Sequence, residues 1–75
     1  METLIEILKN LYPDLDVETV TDFIDGGIMD SFDIVTLVGE IDDEFGVAIP
    51  ADELLPENFN SAAALYALIE RLQED

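Results

Sequence analysis

Apolar residues recur at spacings of three and four along three stretches of this chain, and none alternates with the period of two that a half-buried strand requires. Leu4, Ile5, Leu8, Leu11 and Tyr12 make the first stripe, Ile34, Leu37, Val38, Ile41 and Phe45 the second, and Leu65, Tyr66, Leu68, Ile69 and Leu72 the third. Each stripe lies on one face of a helix and leaves water only by packing against the other two. With 75 residues there is material for one core, so a single domain over residues 1–75 is expected. No cysteine is present, so packing has to hold that core without a disulfide, and modest stability follows.

Local signals set the ends of these helices. The first runs from Glu2 to Tyr12, where Pro13 stops it. The second is predicted from about Ser31 to Phe45: Asp30 or Ser31 can cap its start, Asp33 suits the positive end of the helix dipole, and Gly46 stands at the C-cap. Gly39 inside it costs about 1 kcal/mol relative to alanine, a sign either of close approach by something or of a tolerated accident. Pro56 opens a short third helix through Phe59. Asn60 or Ser61 caps a last helix reaching about Gln73, and Arg71 suits its C-terminal end.

Residues 13–30, between the first two helices, have no sustained period and carry Pro13, several Asp and Thr residues and the pair Gly26-Gly27. They form a long structured loop. Val17, Val20, Phe23, Ile24 and Ile28 are too apolar for a solvated linker, so some of them should pack onto the helices. The expected fold is therefore all-α, a small up-and-down bundle of three main helices plus a short helix III, with a long loop between helices I and II.

Composition narrows the function. Histidine and cysteine are both absent, which removes the usual general base at neutral pH, the thiolate nucleophile and the commonest transition-metal ligands. The chain reads as no enzyme. Asp14, Asp16 and Glu18 alternate as calcium ligands do, but the glycine and final glutamate of an EF-hand loop are missing, and no metal site is expected. Nineteen acidic residues face only Lys9 and Arg71, a net charge of -17 that repels nucleic acid and anionic membranes and calls for partners with basic surfaces. The start of the chain has no basic segment followed by a long apolar run, and no stretch reaches the length of a membrane span. A cytoplasmic monomer without membrane insertion is expected.

The segment Gly26-Gly27-Ile28-Met29-Asp30-Ser31-Phe32-Asp33-Ile34-Val35 joins the loop to the second helix with one hydroxyl at the junction. A serine at a helix N-terminus holds its hydroxyl outside the bundle, where another enzyme can reach it. On these residues the chain resembles the acyl and peptidyl carrier proteins, whose attachment motif is an Asp-Ser pair followed by an apolar residue and preceded by a glycine-containing loop. The likeness continues through Glu40-Ile41-Asp42-Asp43-Glu44-Phe45-Gly46 and Val47-Ala48-Ile49-Pro50, and includes the length and the last helix.

The resemblance implies that Ser31 is modified with 4'-phosphopantetheine from coenzyme A, whose thiol carries an acyl or aminoacyl thioester between partner enzymes. Asp30 is then both motif residue and helix cap. The implied partners are a phosphopantetheinyl transferase, a cargo-loading ligase or transferase, and downstream acyl-using enzymes. Ser31 becomes a substrate for another enzyme, which accords with the lack of any histidine to activate it. The phosphodiester would lie near the partly positive helix end, favourable by about 0.3 to 1 kcal/mol.

Beside Ser31, the residues Phe32, Val35, Thr36, Gly39, Glu40 and Asp43 are spaced to form one outward strip of the second helix, a candidate docking surface of apolar anchors ringed by acids. Phe32 stands where the carrier family more usually has leucine, and Thr36 and Gly39 where fatty-acid carriers commonly have an acid and a larger apolar residue. The form Gly-Ile-Met-Asp-Ser-Phe looks closer to dedicated stand-alone carriers, including those bearing aminoacyl groups such as D-alanine. Fatty acyl, polyketide and aminoacyl cargoes all remain open at this point. The alternative is an unmodified acidic adaptor that binds a basic protein surface through the same strip.

Overall fold

The computed structural model describes residues 2–74. Among them are four α-helices and one 3-10 turn, with no strand. Helix α1 spans Glu2–Leu11, α2 Ser31–Phe45, α3 Pro56–Phe59 and α4 Ala62–Glu74, and the 3-10 turn Ala51–Glu53 precedes α3. The small up-and-down bundle expected from the three stripes is the fold observed.

The terminators act as their chemistry requires. Asp30 takes an extended backbone and caps α2, its side chain accepting a hydrogen bond from the Asp33 N–H. Gly46 closes the same helix in the left-handed region at φ 66°, with its N–H on the Asp42 carbonyl. Pro56 opens α3. Ser61 caps α4, its Oγ accepting from the Ala64 N–H at 3.0 Å. Helix α1 ends one residue short of the expected Tyr12, although the Tyr12 N–H still reaches the Leu8 carbonyl at 2.9 Å.

The three stripes meet in one core. Leu4 and Leu8 from α1, Leu37 and Ile41 from α2, and Leu65, Leu68 and Ile69 from α4 are buried, while Ile34, Val38, Phe45, Tyr66 and Leu72 pack around them half-buried. Each fully buried aliphatic side chain contributes roughly 1.5 to 3 kcal/mol by leaving water. Phe59 of α3 and Ala62 at the head of α4 complete the floor.

The long loop behaves as structure. Val17 and Phe23 are buried, and Val20, Ile24 and Ile28 pack partly against the core. Ile7, Met29, Val47 and Ile49, also outside the expected stripes, are buried too. Helix α1 packs on both α2 and α4. It therefore needs a broader apolar face than a single stripe, and Ile7 supplies it.

Candidate functional site

The junction that delivers Ser31 is assembled from Asp22 onward. The Gly26 N–H donates to the Asp22 carbonyl at 2.6 Å, the Gly27 N–H to the Ile24 carbonyl at 3.1 Å, and the Met29 N–H to the Phe23 carbonyl at 2.8 Å. The two glycines are required for different reasons. Gly27 lies in the left-handed region at φ 75°, while a Cβ on Gly26 would stand 2.7 Å from the Asp22 backbone oxygen. The turn hands the chain to Met29, whose side chain is buried. Two residues later the backbone has reached solvent, and Ser31 is exposed as the first residue of α2.

Both carboxylates that flank Ser31 are engaged elsewhere. Asp30 Oδ1 accepts from the Asp33 N–H at 2.9 Å, and Asp33 Oδ2 accepts from the Tyr12 hydroxyl, also at 2.9 Å. The Tyr12 ring in turn stacks on Phe23 with centroids 5.9 Å apart. Helix α1 is thereby tied at its C-terminal end to the first turn of α2. Burial first, then the Asp33 carboxylate and the Asp30 charge beyond it, hold the Tyr12 phenol protonated well above its ordinary range.

The outward strip of α2 is present as spaced. Phe32 is 78% exposed and Val35 72%, an unusual placement for side chains of that size, and Gly39, Glu40 and Asp43 are exposed along the same face. Thr36 differs: it is half-buried, and its Oγ1 donates back to the Phe32 carbonyl at 3.1 Å. Leu54 and Leu55, just before α3, are further exposed apolar residues that the periodic pattern did not single out. Their segment has no period from which exposure could be read.

A hollow of about 260 Å³ is lined by Glu2, Ile5, Glu6, Lys9 and Glu18. Its walls come from α1 and the loop, and neither Ser31 nor its sequence neighbours take part. It is acid-lined, and it reaches to Glu2, at the end of α1 away from Ser31.

Comparison with known proteins agrees with this geometry. Residues 1–69 match the family described as a phosphopantetheine attachment site. The chain is 34% identical over 74 residues to the D-alanyl carrier protein of Streptococcus equi subsp. zooepidemicus, a match covering 96% of this chain and 92% of that one. To the D-alanyl carrier protein of Streptococcus pyogenes it is 29% identical over 73 residues, with the same coverage. A carrier of this kind works with a transferase that installs its arm and with enzymes that use its cargo. An exposed serine at a helix start, a carrier-type bundle and these matches converge: the chain belongs to the phosphopantetheine-attachment family of carrier proteins, with 4'-phosphopantetheine as its covalent cofactor.

Proposed function

We propose that Ser31 is the hydroxyl that takes the phosphopantetheine arm, and that residues 1–75 act as one carrier unit, without catalytic activity of its own, for an aminoacyl cargo of the D-alanyl type. The observation that carries the reading is the position of Ser31: exposed, first in α2, directly after the capping Asp30. The Ser31 oxygen attacks the pantetheine-bearing phosphorus of coenzyme A, the pyrophosphate P–O bond breaks, adenosine 3',5'-bisphosphate leaves, and the serine proton passes to a base supplied by the transferase, since this chain has no histidine beside Ser31. Once attached, the arm supplies the thiol that holds the cargo as a thioester.

Two observations support a small polar cargo. The relatives are named D-alanyl carrier proteins. The hollow described above has Glu2, Glu6, Glu18 and Lys9 around Ile5 and does not include Ser31 or its sequence neighbours, a charged rim that suits a long acyl chain poorly. Supply of the arm from coenzyme A supports a cytoplasmic location, and a net charge of -17 supports a monomer by self-repulsion. The same charge disfavours nucleic acid and anionic membranes as partners. The Phe32–Val35 strip with Thr36, Gly39, Glu40 and Asp43 is the surface offered to partners with basic rims. The adaptor alternative is not favoured, since the chain matches a phosphopantetheine attachment family.

Incubation with coenzyme A and a broad phosphopantetheinyl transferase should add the mass of one arm, and Ser31→Ala should add none. An equal adduct on both chains, or none on either, would sink the attachment reading. The cargo is tested separately by intact mass of protein isolated from its native host. A D-alanyl thioester is expected there, and a fatty acyl group overturns that part alone.

A further inference from the structure

Asn60 lies immediately before the cap of α4, yet it makes no use of that position, since Ser61 caps the helix. Its hydrogen bonds reach the far side of the sequence. The Phe23 N–H donates to the Asn60 carbonyl at 3.0 Å. The next two amides, of Ile24 and Asp25, both donate to Asn60 Oδ1, at 2.9 and 3.0 Å. Asn60 Nδ2 completes the set by donating to Asp25 Oδ2 at 3.1 Å. Three consecutive N–H groups of an irregular loop thus find their acceptors on one residue, a solution to a requirement that helices and sheets meet with ladders.

Only a carboxamide offers an acceptor for two amides and a donor for a carboxylate from one planar group. The anchored point is also the start of the turn that presents Ser31. Phe23 gives its N–H to Asn60 and receives the Met29 N–H on its carbonyl at 2.8 Å. Met29 is buried, and Ser31 follows two residues on. The backbone carbonyl of Asn60 begins this path and its carboxamide fixes the two amides that follow Phe23, so that the side chain holds the segment in which the path starts.

We propose that Asn60 is the positioning residue for Ser31: by clamping Phe23, Ile24 and Asp25 to the head of α4, it holds the loop-to-helix junction in the one arrangement that a phosphopantetheinyl transferase can engage. The proposal rests on Ser31 being the attachment hydroxyl. It concerns presentation of the serine and assigns Asn60 no contact with the arm or with coenzyme A.

The test measures kcat/KM for arm transfer to the full chain, with circular dichroism confirming that each variant is folded at the assay temperature. Asn60→Ala should lower kcat/KM about tenfold while remaining folded, the scale expected when a reacting group is misplaced. Asn60→Asp keeps both amide acceptors but sets a carboxylate against Asp25, and should be similarly impaired. Adding Asp25→Asn to it restores a donor and an acceptor with their places exchanged, and should return kcat/KM to within about threefold of the parent, as contacting residues couple. A residue touched directly by the transferase would show no such rescue.

Asn60→Ala that is folded and modified at the parental rate overturns the proposal, and so does an exchange pair as impaired as Asn60→Asp alone. Should Asn60→Ala fail to fold, the comparison of Asn60→Asp with the exchange pair decides. A parent that accepts no arm removes the attachment reading instead. The clamp itself is then judged by hydrogen exchange at the Ile24 and Asp25 amides, which should quicken in Asn60→Ala, and an unchanged rate there overturns it.

Discussion

Tyr12 shows how one side chain can serve both the core and the site. Its ring rests on the buried Phe23, and its hydroxyl reaches Asp33 in the first turn of α2. Tyr12→Phe keeps the ring and removes the hydrogen bond, so a loss of about 1 kcal/mol is expected in denaturant unfolding at neutral pH. The same contact sets a pH dependence. Because burial and the Asp33 carboxylate raise the phenol's pKa in the folded chain, its contribution is full below the unfolded value near 10 and is lost as pH rises above it. Stability of the parent should therefore fall above about pH 10 more steeply than that of Tyr12→Phe. Parallel curves for the two proteins would show that the phenol is not held by its partners. Gly26 is constrained by contact where Gly27 is constrained by φ. Gly26→Ala pushes a methyl onto the Asp22 carbonyl and should cost about 1 to 3 kcal/mol. A melting temperature equal to the parent's would mean the turn opens freely to accommodate it.

At the scale of the element, α2 carries both the proposed attachment residue and the exposed strip, and Gly39 sits inside it at an apparent loss. Nothing stands within 4 Å of the place where its Cβ would be. No neighbour within the fold asks for glycine there, so Gly39→Ala should stabilise the chain by about 1 kcal/mol in thermal or denaturant unfolding. A rise in the transferase KM for the same variant would identify the close approach as the partner's. Equal or lower stability would show that the helix is locally strained. The extent of α2 was legible because periodicity, an Asp cap and a left-handed glycine all agree on its ends. Pro56 marked α3 in the same way. The 3-10 turn Ala51–Glu53 was not legible, since three residues are too few to show a period. Burial of Met29, Val47 and Ile49 depends on where the chain returns in space, which no local pattern records. Asn60 is the plainest case. A capping signal reports on a residue's own helix, whereas the side-chain partners of Asn60 lie 35 and 36 residues away. Ser31 stood out through the resemblance to carrier proteins, because a hydroxyl at a helix start is by itself only a capping signal.

For the molecule as a whole, charge competes with packing. Nineteen acidic residues and two basic ones give -17 on a body of 33 × 23 × 19 Å. The Debye length is about 30 Å in 0.01 M salt and about 10 Å in 0.1 M, so in dilute buffer every carboxylate feels nearly all the others, and at 0.1 M only its neighbours. Unfolding separates these charges and relieves the repulsion, which makes the folded state the one that added salt favours. The melting temperature should therefore rise by several degrees across that interval and more slowly beyond it. The ion pair between Arg71 and Glu53, at 3.1 Å, pulls the other way, because salt weakens an attraction as surely as a repulsion. Arg71 is more than half exposed, so the pair is worth at most about 1 kcal/mol and cannot reverse the trend. Arg71→Ala separates the two effects: its deficit against the parent should shrink with salt while both proteins become more stable. A parent whose melting temperature does not change with ionic strength would mean that the acids are already screened from one another, and the charge would then bear on recognition alone.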